Sequence, residues 1–365
     1  MSRRPSPHPG SVTPTAALTD LEPDRRTFLR GIGGVAALLA VGGAATACSS
    51  SSDSSGSTSS GSGGAGGNAG AGKTIGISLN GINAYSTYVA EGVMAALAGT
   101  KYKVVGVQNN FNSTTELSNI QNLLTQGIDG LVVLPADATT IGKAAQLCSQ
   151  QGVPVGNALW PGKSAADKYY TGVADLDSVA GGKLIGEYLK KNAKPGKVIV
   201  VQGIVGQGFS EKIDEGLNAS LAGSGFTVAV RQQAFFDRNK ATGVVESGLQ
   251  AHPDTTAIVA YSASMSDGIA SYLKSKKITD LTHVSSDGDD ELFTWLGTPY
   301  LQANRYYSAA QTGSAVAKAV RAKIEGGSAT FDNPITQAMI TKSTATAAVK
   351  ANPYRYKTYA GKVKF

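Results

Sequence analysis

From residue 74 onward, short runs of β-branched and aliphatic residues alternate with amphipathic stripes. Residues 74–79, TIGISL, make the first run, as expected of a strand buried on both faces of a parallel sheet. A polar, glycine-containing loop follows at 80–84. Residues 85–98 then place Tyr85, Tyr88, Val89, Val93 and Leu97 at helical spacing. The unit is strand, loop, helix, and its loop lies at the carboxyl end of the strand, where open α/β sheets hold ligands.

The unit recurs. Strands are predicted at 103–107, 130–134, 153–157 and 169–173, with helices at 114–126 and 138–151; Ser113 or Thr114 is the expected cap of the first helix. After Asp175-Leu176-Asp177 the pattern restarts. Helices are predicted at 179–191, 209–221, 240–251, 264–275, 289–296 and 309–325, and strands at 197–201, 227–235, 256–261, 282–285, 301–304 and 334–340. The basic, aromatic tail to Phe365 gives no assignable element. This order predicts an α/β fold with parallel sheets in two lobes, their loop-bearing strand ends facing each other across a cleft. The 365 residues suffice for two such lobes.

The start of the chain breaks the pattern. Arg25-Arg26-Thr27-Phe28-Leu29 precedes an uncharged, small and apolar run from Gly31 to Ala47, closed by Cys48. A basic region, an apolar stretch and small residues before a cleavage point are the parts of an export signal. The paired arginines resemble a twin-arginine (Tat) signal. Ala45-Thr46-Ala47-Cys48 resembles a bacterial lipobox, with Ala45 in place of the usual Leu, so Cys48 is the expected lipidation site. The run is short and rich in Gly and Ala for a membrane span. Residues 49–72 are almost all Ser, Gly, Ala and Thr, the composition of a flexible tether. The expected location is therefore the extracytoplasmic face of the cell membrane, through a lipid anchor.

Charge and cysteines narrow the classes. The net charge is +7; residues 1–47 hold five of the 33 basic and three of the 26 acidic residues, leaving +5. The lysines are scattered with no basic stripe, so nucleic acid is not an expected partner. Cys148 lies in a predicted helix and reads as a small buried apolar residue. With Cys48 at the membrane, the fold must rest on its core rather than a disulfide.

The motifs together resemble a family. Thr74-Ile75-Gly76-Ile77 followed by Asn83, Tyr85 and Glu91-Gly92 is similar to the opening of bacterial ribose- and galactose-type periplasmic binding proteins. Gln126 to Val133 leading to Pro135-Ala136-Asp137, Gly152-Val153-Pro154-Val155, Val179 to Lys183, Val201-Gln202-Gly203, Phe236-Asp237-Arg238, Ala251 to Asp254 and Ser286-Asp287-Gly288 continue the resemblance in order. It runs from about Thr74 to Ile340 and implies two Rossmann-like lobes joined by three hinge crossovers, near Leu176, Ser308 and Pro334. The implied divisions are residues 73–176 plus 308–333 for the N-terminal lobe, 177–307 plus 334–345 for the C-terminal lobe, and 346–365 for a tail. The implied role is a monomeric solute-binding component of an ABC importer that passes a sugar or polyol to a permease, without catalysis, cofactor or metal. A sensor reporting occupancy to a membrane kinase or chemoreceptor has the same fold and is the alternative.

Carried over position by position, the resemblance implies ligand contacts from Asn83 and Tyr85 in the first loop, Phe236 from the second lobe and the Asp287 carboxylate. Other positions depart. Leu159-Trp160 replaces an Asp-Arg pair, Ser262-Ala263 replaces Asn-Asp, Glu211 and Lys212 stand near a missing arginine, and Tyr307 falls near a late glutamine. Asn157, Trp160, Ser262, Arg305 and Tyr307 complete the candidate ligand set. Tyr85 and Trp160 read equally well as core. The more aromatic pocket points to a ligand other than ribose, bulkier or less polar, and Arg305 leaves small carboxylates open beside hexoses, pentoses and polyols.

Three sharper motifs dissolve on inspection. Gly203-x-x-Gly206-x-Gly208 lacks dinucleotide spacing and reads as a tight turn. Ser210, Asp237 and His252 have no nucleophile-elbow pattern. The acidic run 287–291 lacks the spaced ligands of a calcium loop and reads as a helix start.

Overall fold

The computed structural model describes residues 69–287 and 290–351. The export signal, Cys48, the tether to residue 68, Gly288, Asp289 and the tail from 352 lie outside the described residues. The chain opens β1 (Thr74–Leu79), α1 (Ala84–Ala96), β2 (Lys103–Gln108), α2 (Ser113–Thr125), β3 (Gly130–Val133), α3 (Ala138–Gln150), β4 (Val155–Asn157) and β5 (Gly172–Asp175). It then runs α4 (Ser178–Asn192), β6 (Lys197–Gln202), α5 (Phe209–Leu221), β7 (Thr227–Gln233), α6 (Arg238–Ala251), β8 (Thr255–Ala260), α7 (Ala263–Lys276), β9 (Thr282–Ser286) and β10 (Ala303–Tyr307). It closes with α8 (Ala309–Ile324), β11 (Asp332–Pro334), β12 (Gln337–Ile340) and α9 (Lys342–Ala351).

Two six-stranded sheets result, in the orders β11-β5-β4-β3-β1-β2 and β12-β10-β9-β8-β6-β7. Every pairing in the first is parallel; in the second only β10–β12 is antiparallel. Central strands are apolar on both faces because helices cover both. In the first sheet Val132 packs with Val89 and Val316 from α1 and α8, while its neighbours Leu131 and Val133 pack with Ile120 of α2 and Ile141 of α3. Cys148 is fully buried in that second layer, and burial pushes its thiol up to about 12. The chain passes between the sheets after β5, after β10 and between β11 and β12. All three passages lie at one edge of each sheet; β2 and β7 form the opposite edges.

The structure corrects several expected elements. Asn112, not Ser113 or Thr114, caps α2, accepting the Thr115 N–H at 2.8 Å. Residues 169–173 divide into a short 3-10 turn (Asp167–Tyr169) and β5. The Asp167 carboxylate fixes that turn by accepting the Trp160 indole N–H and the Ser164 backbone N–H. Residues 334–340 are not one strand. Pro334 has no N–H to extend a ladder; β11 ends there in the first sheet, and β12 begins at Gln337 in the second. The strand expected at 301–304 lies at Ala303–Tyr307, and α9 spans the expected start of the tail.

Each lobe contains a helix pair that crosses at glycine. A Cβ on Gly92 would lie 1.9 Å from the Ala310 carbonyl oxygen, and one on Gly182 would lie 2.0 Å from that of Ile213. Gly92→Ala must therefore push α1 and α8 apart, at a cost of about 1–3 kcal/mol. Gly243, in α6, has nothing within 4 Å of its would-be Cβ, and Gly243→Ala should stabilise by about 0.5–1 kcal/mol through helix propensity. Denaturant unfolding of the two variants should give opposite signs. The same sign for both would mean that α1 and α8 are not in this close contact.

Candidate functional site

The carboxyl ends of the strands in both sheets carry the loops that line the gap between the lobes. Side chains cap the helices that start there. Asn83 caps α1, Asp137 caps α3, Asp237 caps α6 and Ser262 caps α7. Small polar residues are favoured at such positions because their oxygens satisfy otherwise orphaned N–H groups. The same chemistry makes caps and ligand contacts hard to tell apart in a sequence.

The base of the gap is built around Arg305. Its side chain is fully buried. Nε donates to Gln337 Oε1 at 2.6 Å and Nη1 to Ser286 Oγ at 3.1 Å, while the guanidinium lies 5.0 Å from the Tyr307 ring centre and 5.8 Å from that of Phe209. Room for it comes from Gly181 in α4, where a Cβ would lie 2.1 Å from Nε. Burial lowers its pKa; Tyr307, Tyr85, Asp287 and Asp177 favour its charge. Tyr85 meets Tyr307 edge-on at 6.1 Å. Asp287 Oδ2 accepts the Ala263 N–H at 3.0 Å at the start of α7, a position that favours negative charge. Asn304 clamps the Asp287 backbone through bonds of 3.0 and 2.8 Å. Tyr85, Asp287, Arg305 and Tyr307 are thus brought together.

The lobes also touch directly. Asn80 Nδ2 and Gln207 Nε2, one from each lobe, both lie 3.4 Å from the Pro135 carbonyl oxygen. Asn80 Oδ1 and Gln207 Oε1 are buried with no protein partner, so each has an acceptor to spare. Phe236 faces Phe111 with ring centres 6.0 Å apart. Sequence reasoning missed Asn80, Gln207 and Phe111. Gln207 lies inside the glycine-rich loop 203–208, whose sequence reads as a tight turn.

The remaining expected contacts make bonds within their own lobes, though Asn157 Nδ2 is buried with no hydrogen-bond partner. Asn83 is exposed, and its Oδ1 accepts the Ser86 N–H at 2.9 Å. Trp160 packs edge-on against Phe331 and donates to Asp167 at 3.1 Å, both within the first lobe. Asn157 Oδ1 accepts the Leu159 N–H at 3.0 Å, and its side chain sits beside the Tyr170 hydroxyl within the same lobe. Ser262 is spent on its cap. Ser210, Asp237 and His252 have other partners too: Ser210 Oγ accepts the Gly203 N–H, Asp237 caps its helix, and His252 Nδ1 lies 3.4 Å from Lys197 Nζ. Among the described residues there is no group of three or more His, Cys, Asp or Glu that could hold a metal, and no helix is long and apolar enough to cross a membrane.

With this geometry in hand, comparison with known proteins is decisive. A family model described as "Periplasmic binding protein domain" matches residues 75–328. The chain belongs to the periplasmic binding protein family. The ribose import binding protein RbsB of Escherichia coli is 30% identical over 223 residues, covering 60% of this chain and 74% of that protein. The xylitol-binding protein of Mycolicibacterium smegmatis is 24% identical, covering 60% and 63%. Among solved structures, a galactofuranose binding protein superposes with a TM-score of 0.71 at 19% identity, covering 77% of this chain and 99% of that one. An ABC transporter solute binding protein from Mycobacterium smegmatis with bound glycerol gives 0.69 at 21%, covering 75% and 96%. The expected family and the two-lobed α/β fold are borne out. These relatives are named as binding proteins, not enzymes.

One buried acid supports the site from behind. Glu116 is fully buried. Its Oε1 accepts the Ala136 N–H at 3.1 Å and the Asn109 amide at 3.4 Å, tying together the loops after β2 and β3. Burial pushes its pKa from an ordinary 4.5 to about 8; the Ala136 N–H partly opposes this. The folded chain keeps a proton that the unfolded chain releases above about pH 4.5, so stability falls as pH rises from about 4.5 to 8. Glu116→Gln should melt with the parent at pH 4 and clearly above it at pH 8. Parallel melting profiles across that range would contradict the assignment.

Proposed function

We propose that this chain is the solute receptor of an ABC importer and captures a sugar or polyol between its lobes for delivery to a permease. The observation that carries this is the base of the gap. The rings of Tyr85 and Tyr307 meet the charged groups of Arg305 and Asp287, and the amides of Asn80 and Gln207 meet between the lobes at the Pro135 carbonyl. Aromatic faces suit the apolar side of a sugar ring, and charged groups suit its hydroxyls. Relatives named for ribose and xylitol, and solved structures of a galactofuranose binding protein and of a solute binding protein with bound glycerol, favour the same class. Leu159, Trp160 and Tyr307, where ribose-type members carry polar groups, argue for a ligand other than ribose.

The location follows from the leader. Arg25-Arg26 and the apolar run to Ala47 act as an export signal, and Cys48 carries a lipid that holds the domain at the outer face of the membrane on the 49–72 tether. The mature protein works as a monomer and catalyses no reaction. Labelled palmitate should be incorporated into the chain and lost in Cys48→Ala; incorporation at parent level in that variant would refute the anchor.

A thermal-shift screen with D-ribose, D-arabinose, xylitol, glycerol, myo-inositol and D-gluconate tests the ligand class. A ligand at a hundred times its Kd adds about 2.7 kcal/mol, several degrees for a chain of this size. A neutral member should give that shift, and Asp287→Asn should weaken its binding about 10- to 100-fold, as for loss of a hydrogen bond to a charged group. A shift with gluconate alone, or unchanged affinity in Asp287→Asn, would overturn the reading.

A further inference from the structure

Two phenylalanines stand at equivalent places in the two lobes. Phe111 follows β2, the second strand of the first sheet, and Phe236 follows β7, the second strand of the second. Each directly precedes the capping residue of the next helix, Asn112 and Asp237. Each ends a pair of residues with left-handed backbone: Asn110 and Phe111 at φ 49° and 58°, Phe235 and Phe236 at 58° and 57°. Bulky residues rarely adopt this conformation, which costs about 1–2 kcal/mol per residue. In each lobe this loop bonds to the loop after the first strand, through Phe111 N–H to Asn80 O at 2.5 Å and Phe235 N–H to Gly203 O at 3.3 Å. In each lobe a glycine of that loop leaves room for the ring. A Cβ on Gly81 would lie 2.9 Å from Phe111 Cε2, and one on Gly203 would lie 2.1 Å from Phe236 Cε1.

The two rings meet across the gap at 6.0 Å, with their planes 32° apart. This distance is within the range of favourable aromatic pairs and leaves no room for a ring between them. Both side chains are half-buried, and β2 and β7 are the edge strands farthest from the three passages between the lobes. A contact at that edge acts at the greatest distance from the hinge. Two loops in an unfavoured backbone conformation, each seated on its own glycine, converge on a single pair contact. Such strain persists only where the surroundings enforce it, and it marks functional positions.

We propose that Phe111 and Phe236 form an aromatic clasp that holds the lobes together at the mouth of the cleft, so that closed molecules are populated before ligand arrives. Phe111 is then an affinity-determining residue that need not touch the ligand. A receptor that binds through its closed form has an apparent affinity scaled by the closed fraction, so the clasp tightens binding of any ligand small enough to lie behind it. The proposal requires only that two lobes close. It stands or falls independently of whether the ligand is a sugar or polyol.

Single-molecule energy transfer on the full chain, stripped of ligand by unfolding and dialysis, reads the closed-to-open ratio directly. Dyes on Lys143→Cys and Gln250→Cys, in a Cys48→Ser background, report one position in each lobe. Phe111→Ala should lower the ratio about 2- to 10-fold, the change that corresponds to the usual strength of an aromatic pair. Phe236→Ala should do the same, the double variant should fall no further than either single one, and Phe111→Tyr should keep the parent ratio. The clasp is refuted by a parent with no closed fraction, by a ratio unaltered in Phe111→Ala, or by single effects that multiply in the double variant. It is equally refuted if Phe111→Ala lowers only the melting temperature, because Phe111 would then be packing on Gly81 within its own lobe.

Discussion

The architecture depends on a buried cation at the meeting point of the lobes. Taking a guanidinium out of water costs several kcal/mol unless its surroundings compensate. Around Arg305 the compensation comes from Gln337 Oε1, Ser286 Oγ, two aromatic faces and the charges of Asp287 and Asp177. These partners belong to β12, β9 and the loop after it, β10, α5 and the segment that passes between the sheets after β5. Gln337 also donates to the Asp177 carbonyl at 2.7 Å, and the Ile335 N–H to that of Asp175 at 2.8 Å. Arg305 and Gln337 therefore fasten the first and third passages together and lead into the second, while Arg305 Nη2 is buried with no protein partner. Gly181 pays for this with its missing side chain, since any Cβ there would overlap the guanidinium.

From that fixed edge the two lobes extend as variants of one design. Parallel strands deliver loops to the gap, and side-chain caps hold the helix starts. A glycine crossing sets the helix pair behind each sheet. Rigid sheets and hinge-side hydrogen bonds leave the far edge as the place where motion is largest, as in hinge closure generally. The proposed ligand contacts Tyr85, Tyr307, Arg305 and Asp287 sit near the hinge side, where a hinge closure displaces groups least. The proposed recognition at the base is thus separate from the proposed closure contact at the mouth.

Much of this was legible in the residues. Buried parallel strands announce themselves as continuous apolar runs, so β1, β3, β6 and β8 were predicted within a residue or so, and α5 at its observed bounds. What was not legible has physical causes. The segment 334–340 carries a strand-like composition, but nothing local tells which sheet each half will join. Asn83 and Ser262 are of the residue types that suit either a cap or a ligand. Trp160 packs against Phe331, far away in sequence. Phe111, Asn80 and Gln207 matter through backbone conformation and contacts across the lobes, neither of which has a periodicity to read. Glu116 shares the buried stripe of α2 with Ile120, Leu123 and Leu124. That spacing was the one available sign of a buried acid.

The central claim is that ligand is held by both lobes at once, over the Arg305 base. Amide hydrogen exchange of the full chain with and without a polyol that binds tests it most directly, because protection reports local opening segment by segment. The account requires added protection together in the loops at 80–83 and 135–137 of one lobe and at 203–208, 262–264 and 304–308 of the other. Protection confined to one lobe, or to surfaces away from the strand ends, would contradict it.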